Sequence, residues 1–531
     1  MPQIDYRANL SAAIFPLSLS QAGRSVIIPG PDNNFDRRVD PEGEQKDAGI
    51  PQAIYLENVI PTANGYQTLR KDTTGSLPAP VSTGGYVLDQ LPVRDTTAAK
   101  IVFNAIIALD RPTTLRASIY GVGTWHNVVF SGTATYPTLV DEVSFAIVRG
   151  ECYVLIRGTT STELYTATIV SGIVTLTNVS ASVTFLTLNN IYGICGTNNY
   201  LLAFEADGKL HWSSTTTPTD FTPSLVTGAG EITPSGLYGG FQKSYTTGSG
   251  CYIFSRIGVV LCEYTGNARY PWRFASVKET NQLVAASTQD PNSYNVFIYD
   301  VAHNFMVLQG NSAALVAAEV SAYLRANRND YTYDYTDHAV DAFQPRADNI
   351  KLYCFYDRYI CISTGAYLRP DGSIVYKIIL VYDKALRRYG RIVVEHNYVV
   401  AAQDPNSTER TIAAIDAGTG TAVNFLFNLH EGSGTATDGV LILGKFQYVR
   451  SRRLELHEIM CEGQFQHVNC YVLPAGESTI FNAAVSAVPV VSSDTHRQYN
   501  CRAEGSTLAV AFEGAFNMDF AQFTFSLGGG R

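Results

Sequence analysis

Residues 248–266 read GSGCYIFSRIGVVLCEYTG, two apolar runs separated by a short polar turn that ends in glycine. The same order recurs in FEADGKLHWSS at residues 204–214 and in VYDKALRRYGRIVV at residues 381–394. Short apolar runs bounded by Gly, Asn, Asp or Ser are typical of β-strands joined by tight turns. These three stretches therefore predict antiparallel hairpins as the repeating unit of the chain.

Similar runs fill the sequence from about residue 100 to residue 446, and the hairpin pattern returns every roughly 40–55 residues, the length of a propeller blade of three or four strands. We therefore expect an all-β fold, a β-propeller of six or seven blades. The repeat is degenerate, because it has neither a Trp-Asp signature nor the double glycine of kelch repeats, and only three tryptophans are present. A chain of β-sandwiches is the alternative.

The composition agrees with an all-β fold. Of 531 residues, 46% are hydrophobic and 16% charged, and the chain holds 43 Gly and 32 Tyr but only 4 Met. Soluble domains average about 25% charged residues, and long surface helices need Glu and Lys. No stretch reaches the ~20 apolar residues of a transmembrane helix, so we expect no membrane span.

Three segments are predicted. Residues 1–99 form an N-terminal arm and a hairpin segment, in which Asn64-Gly65 is a strong signal for a tight turn. Residues 100–445 form the propeller, and residues 446–531 form a C-terminal β module that partly completes it. One helix is expected within the propeller segment, over Asn311–Asn327, where alanines dominate and Ser312 can cap the first turn.

The net charge of −9 argues against a protein that wraps nucleic acid, because such proteins present a basic surface to the phosphates. We expect at most passive contact with DNA. The nine cysteines form no CxxC pair and are odd in number, which favours buried free thiols and synthesis in a reducing compartment.

A metal site is the first chemical possibility in the C-terminal module. The segment His457-Glu458-Ile459-Met460-Cys461 resembles a zincin motif, with His467 and Cys470 nearby. The zincin motif requires a helix, whereas this segment has the pattern of a strand, on which His467 and Cys470 point to opposite faces. We therefore predict no metal site here.

Two acidic segments are weaker candidates. Asp32 and Asp36 begin a sequence like a calcium loop, but Arg37 and Gly43 replace the required Gly and Glu. Asp330, Asp334, Asp337 and Asp341 are spaced by three and four residues, which suits acid–base catalysis but equally suits a polar loop at the rim. No nucleophile elbow, phosphate loop or dinucleotide fingerprint is present. We therefore expect no enzyme activity, no catalytic residue and no cofactor.

Clustered arginines stand out in a chain with so little charge. They occur at Arg387 and Arg388, and again at Arg452 and Arg453. Such clusters form either ion pairs at the rim or contacts with an acidic partner. These four residues are our candidate interface residues.

Several segments, in this order, carry a resemblance to a known family. They are YLENVIPTANGYQTLRK (55–71), HWSSTTTPTDFTPS (211–224), SGLYGGFQKSYTTGSGCYIFSRIGVVLCEYTG (235–266), the alanine-rich segment followed by AVDAF (339–343) and KLYCFYD (351–357), LVYDKALRRYG (380–390), RSRRLELHEI (450–459) and FSLGGGR (525–531). Together they resemble the tail hub or nozzle proteins of short-tailed bacteriophages, including the packaged-DNA stabilisation proteins. The tryptophan that this family usually carries near Tyr389 is missing.

The resemblance implies a structural virion protein of the tail, assembled in the host cytoplasm as a homo-oligomeric ring, a hexamer. It implies a portal and an adaptor above the ring, and tail spikes, fibres or a needle around or below it. The ring would close or guide the DNA exit channel, and no catalytic residues come with the resemblance. A carbohydrate-binding or receptor-binding phage adhesin is the alternative, and a propeller glycosidase is a more remote one.

Overall fold

A computed structural model gives the structure of the chain. It describes residues 15–18, 52–62, 65–71, 86–95, 100–110, 114–119, 125–132, 140–267, 270–280, 284–290, 293–316, 320–321, 324, 350–355, 358–368, 374–401, 411–416, 423–429, 435–447, 454–474, 485–505 and 507–527. Two single turns of 3-10 helix, Ser180–Ser182 and Leu188–Asn190, lie among the strands.

The N-terminal segment contains β1 Phe15–Ser18, β2 Gln52–Glu57, β3 Val59–Pro61, β4 Tyr66–Thr68 and β5 Arg70–Lys71. Blade 1 contains β6 Tyr86–Asp95, β7 Lys100–Asp110, β8 Thr114–Ile119 and β9 Trp125–Asn127. Blade 2 contains β10 Val129–Ser131, β11 Val140–Val148, β12 Glu151–Gly158, β13 Thr162–Val170 and β14 Ile173–Asn178. Blade 3 contains β15 Ile191–Thr197, β16 Tyr200–Glu205, β17 Leu210–Trp212 and β18 Gly230–Ile232.

The later strands continue the same order. Blade 4 contains β19 Phe241–Thr246, β20 Gly250–Ser255, β21 Val259–Tyr264 and β22 Trp272–Ser276, and blade 5 contains β23 Val284–Gln289, β24 Val296–Asp300, β25 Phe305–Gln309 and β26 Ser312–Leu315. Blade 6 contains β27 Lys351–Phe355, β28 Tyr359–Leu368, β29 Ile374–Asp383 and β30 Arg388–His396, and blade 7 contains β31 Tyr398–Ala401, β32 Thr411–Asp416, β33 Val423–Asn428 and β34 Thr435–Ala436. The C-terminal strands are β35 Gly439–Gln447, β36 Leu454–Pro474, β37 Val485–Ser486, β38 Val488–Ser492, β39 His496–Gly505 and β40 Thr507–Leu527.

Blade 4 shows how the predicted hairpins fold. β20 and β21 pair antiparallel with Cys251 opposite Cys262, and Ser255 closes their turn by accepting hydrogen bonds from the amides of Ile257 and Gly258 at 3.3 and 3.2 Å. All of β20 is buried, because the central strands of a blade lie between the faces of two neighbouring blades. This double burial explains why such strands read as continuous apolar runs.

The blades form a closed ring. Their first strands contact one another in the order β6, β11, β15, β19, β23, β27 and β31, and β31 returns to contact β6. Side chains join the inner strands at the seams, where the Thr246 hydroxyl donates to the carbonyl of Gly196 and the Tyr245 hydroxyl to that of Ser287, both at 2.8 Å. The described residues therefore form a seven-bladed propeller, which confirms the all-β propeller predicted from the sequence.

The hydrophobic core is divided into clusters, the largest of which extends from blades 5 and 6 into the C-terminal sheet. Separate apolar clusters fill the spaces between blades 2 and 3, blades 3 and 4, blades 4 and 5, and blades 6 and 7. Eight of the nine free cysteines are buried in this core and Cys354 is half-buried. The cysteines therefore act as small apolar side chains, as the sequence predicted.

Strands of the N-terminal segment pair with strands of blades 6 and 7. β3 and β4 form the hairpin predicted around Gly65, whose amide donates to the Thr62 hydroxyl at 2.9 Å. β5 pairs with β33 and β34 of blade 7, while β3 pairs with β30 of blade 6. Strand β6, within the predicted N-terminal segment of residues 1–99, is the inner strand of blade 1.

The C-terminal strands form a sheet that continues blade 6. Its order runs from β30 through β3 and β4 to β40, β36, β39 and β38. β36 and β40 each have 21 residues and pair along their whole length. The boundary that we placed at 445/446 falls inside β35, which pairs with β40 and so lies with the C-terminal strands.

The helix predicted over Asn311–Asn327 is wrong in its first part. Ser312–Leu315 is strand β26, which pairs with β25 and completes blade 5. Ser312 caps no helix, because its hydroxyl donates to the carbonyl of Gln309. Val320, Ser321 and Leu324 do have helical backbone and are buried. Among the described residues, no helix is long and apolar enough to cross a membrane.

Candidate functional site

The first predicted interface arginine lies on the turn between β29 and β30. The carboxylate of Asp383 is fully buried and accepts hydrogen bonds from the amides of Ala385 and Leu386. It also forms an ion pair with Arg358, whose Nη2 lies 2.7 Å from Asp383 Oδ2. These contacts fix the turn and leave Arg387 exposed with a φ of 55°. Arg387 therefore presents a positive charge at the surface, and a residue that contacts a partner must be exposed in this way.

Arg388 is buried, which corrects its prediction as an interface residue. Its side chain is 4% exposed, and Nη1 donates to the carbonyl of Thr62 at 3.2 Å. Arg391 makes the matching contact with the carbonyl of Leu56 at 3.2 Å. These two hydrogen bonds hold the N-terminal strands against blade 6. Arg452 and Arg453 lie outside the described residues.

The metal candidates of the C-terminal module lie on β36 and do not converge. Cys461 and Cys470 are buried in the core, and burial raises the pKa of both thiols. His467 is exposed and contacts Asp438 at 2.5 Å. Within the part of the chain that the structure describes, no three His, Cys, Asp or Glu side chains are placed to hold a metal ion. The acidic segments at Asp32–Asp36 and at Asp330–Asp341 lie outside the described residues.

A serine and a histidine meet inside blade 6, a pair that the sequence reasoning missed. Ser363 Oγ lies 2.8 Å from His396 Nε2, and His396 Nδ1 lies 2.9 Å from the carbonyl of Val394. Nδ1 must carry the proton to donate to that carbonyl, so Nε2 accepts from the Ser363 hydroxyl. Both side chains are 0% exposed, so no substrate reaches them. Their arrangement is that of a buried polar pair whose hydrogen bonds are satisfied. The spacing of Ser363 and His396 in the sequence does not predict that they meet.

Two lysines lie on inner strands near the axis of the propeller. Lys351 Nζ is 5.6 Å from the ring centre of Tyr376 and 5.5 Å from that of Tyr398. Burial lowers the pKa of Lys351, and the charge of Lys243 on β19 lowers it further. Both lysine residues are nevertheless exposed. Lys351 and Lys243 thus place two positive charges close together near the axis of the propeller.

The first apolar surface is β38, which we call the edge patch (Val488, Val490 and Val491). The three valines are 65%, 55% and 38% exposed. β38 ends the described order of its sheet and pairs there with β39 alone. Pro489 and a bulge interrupt its register, and such features oppose the addition of another strand. The valine side chains, more than the backbone, are therefore available to a partner.

The second apolar surface lies on blades 3 and 4, and we call it the rim patch (Leu225, Val226 and Tyr270). These residues are 73%, 95% and 64% exposed. They occupy the loops between the third and fourth strands of adjacent blades, which open on the same face of a propeller. Trp212 and Trp272 contact each other at the base of these loops, with ring centres 6.4 Å apart. Large exposed apolar side chains on the loops of adjacent blades are candidates for an interaction surface.

No protein-family profile matches the chain, and no curated protein matches its sequence. The structure is similar to a solved structure described as "YCF48 bound to D1 peptide", with a TM-score of 0.38 and 9% sequence identity, over 70% of this chain and 100% of that chain. A similarity this distant says nothing about function. The sheet order and the closed ring of inner strands define the chain as a β-propeller protein.

Proposed function

We propose that this chain is a structural virion protein, the subunit of a homo-oligomeric ring that forms the tail nozzle or hub of a short-tailed phage. The proposal begins from the resemblance in sequence. The structural observation that supports it is the presence of two apolar surfaces, the edge patch and the rim patch, in different parts of one chain. In this proposal the patches of successive copies meet, and the ring lies below the portal and its adaptor.

The separation of the patches suits a ring. A heterologous interface joins two different surfaces of the same chain, and it closes into a ring when the rotation between copies allows. A single self-complementary patch would give a dimer instead. The proposed ring is a hexamer, whose outer surface would hold tail spikes, fibres or a needle.

The charge of the chain suits a wall along a DNA channel. A net charge of −9 repels phosphates, so DNA passes without the counterion release that drives tight binding. The low content of charged residues also suits a surface that faces other subunits. The proposed role is therefore to close or guide the exit channel without catalysis.

Substitution of the patches tests the interface. Val488→Asp places a charge in the edge patch, and Val226→Asp places one in the rim patch. Each should weaken self-association about tenfold or more, because burying one valine contributes about 1.5–3 kcal/mol. Val170→Asp, at a valine that is 47% exposed in blade 2, is the matched control. Mass photometry across a concentration series measures the assembly of all three variants and of the unsubstituted chain.

A mixture of the two variants distinguishes a ring from a dimer. If the edge patch of one copy binds the rim patch of the next, mixed Val488→Asp and Val226→Asp chains retain one intact interface and form dimers that cannot grow. If each patch binds itself, the mixture behaves as the separate variants do. Unchanged assembly in both variants, or an equal loss in Val170→Asp, would contradict the proposed interface.

A further inference from the structure

A cavity of 340 Å³ lies where the N-terminal hairpin meets the C-terminal sheet. Its walls come from β4 and β5, from the middle of β36 and β40, and from the turn between β38 and β39. The lining residues are Gln67, Thr68, Arg70, Ala436, Gln464, Phe465, Gln466, Asp494, Thr495, Ala515, Phe516 and Asn517. The volume is in the range of small-ligand sites, about 300–1,000 Å³.

Three carboxamides form a row across this wall. Gln67 on β4 is paired with Asn517 on β40, and Asn517 is paired with Gln464 on β36. Residues paired across antiparallel strands project from the same face, with Cβ atoms about 5 Å apart. The pairing therefore places three amide side chains next to one another on adjacent strands.

Two oxygens of this row have no hydrogen-bond partner among the described residues. Gln67 is 2% exposed, and no described donor reaches its Oε1. Asn517 Oδ1 is also buried and unpaired within the described structure. A buried carbonyl oxygen without a donor destabilises a folded chain, so such groups call for an explanation. Donors supplied by a ligand would satisfy both oxygens.

A bulge in β36 lies beside the carboxamide row, at the edge of the cavity. β36 is bulged at Gly463, whose φ is 153°, and a Cβ there would lie 2.1 Å from the carbonyl of Asn517. The amide of Gly463 donates to the carbonyl of Thr495 at 3.1 Å, and that of Phe465 to the carbonyl of Asp494 at 2.7 Å. These bonds hold the β38–β39 turn as one wall. Bulges are frequent beside binding sites, where they redirect side chains.

The lining chemistry favours a neutral ligand that is rich in hydroxyl groups. Arg70 and Asp494 are the charged lining residues, and their charges cancel. Phe465 and Phe516 add apolar surface, and the unpaired carboxamide oxygens require donors. A phosphate would need more positive charge, and a metal cation would meet Arg70. We propose that this cavity binds a neutral saccharide unit, whose hydroxyls donate to Gln67 Oε1 and Asn517 Oδ1.

Binding of simple sugars tests the proposal without reference to ring assembly. The full chain is titrated with glucose, galactose, N-acetylglucosamine and maltose, followed by saturation-transfer NMR and by the thermal unfolding midpoint. At least one sugar should bind saturably and raise the midpoint. Gln67→Met and Asn517→Ala should each weaken that binding about tenfold or more, because each removes one hydrogen bond between the sugar and a buried oxygen. Asn469→Ala, at an exposed asparagine of β36, should bind as the unsubstituted chain does.

Folding of the variants is checked without ligand. Gln67→Met removes an unpaired oxygen at similar volume, so its unliganded unfolding midpoint should equal or exceed that of the unsubstituted chain. Saturable binding by no sugar would overturn the proposal, and so would equal binding by all three variants. Binding of a short amide-rich peptide in place of the sugars would also overturn it.

Discussion

Arg387 and Arg388 show how far single residues can be read from sequence. The two are adjacent and chemically identical, yet Arg387 is exposed on a turn and Arg388 is buried beneath the N-terminal hairpin. The sequence marks the cluster, but the turn geometry set by Asp383 decides which arginine faces outward. Burial also raises the pKa of Tyr66, and the charge of nearby Arg388 partly offsets this rise.

The two arginines predict different effects on stability. Arg388→Ala leaves the buried carbonyl of Thr62 without its donor, which should lower the free energy of unfolding by about 1–3 kcal/mol. Arg387→Ala, the matched control, should change it by less than about 0.5 kcal/mol. Urea unfolding followed by tryptophan fluorescence measures both. Equal midpoints for the two variants would contradict the assigned role of Arg388.

At the scale of elements, the hairpins were predicted correctly, whereas the first part of the predicted helix is a strand. Turn residues between apolar runs identify β20–β21 and β29–β30 because the chemistry is local. The segment at Asn311 has strong helix formers, but Ala313 and Ala314 pair with Leu308 and Val307 of β25. Completion of the fourth strand of blade 5 therefore overrides the local preference of alanine.

The buried faces of the strands predict how stability depends on pH. Burial raises the pKa of Cys152 and of Cys501 to about 12, and the pKa of Tyr165 and of Tyr200 to about 12 as well. The folded chain therefore keeps protons that the unfolded chain releases above about pH 9. This contribution to stability is complete below pH 9 and is lost as the pH rises toward 12.

Each such proton should lower the free energy of unfolding by up to about 1.4 kcal/mol per pH unit in this window. Urea midpoints at pH 8, 9, 10 and 11 measure the decline. Cys152→Ala should give a shallower slope than the unsubstituted chain, whatever its own stability. A midpoint that is constant or rises from pH 8 to pH 11 would contradict the burial of these groups.

At the scale of the whole molecule, distant parts of the chain meet. β5 completes blade 7, and β4 pairs with β40. The sequence predicts a propeller, because a repeated pattern can be read locally, but it does not predict this pairing of termini. The carboxamide row of Gln67, Gln464 and Asn517 depends on that pairing and on strand register, so no sequence motif predicts it.

The proposed role is also a property of the whole molecule. In that proposal, the edge patch and the rim patch act only when several copies come together. Electron microscopy of the purified chain, mixed with the adaptor that the proposal places above the ring, tests this directly. We predict end-on views of a closed ring of six copies that docks on the adaptor. Isolated monomers that neither form rings nor bind any portal–adaptor complex would contradict the account.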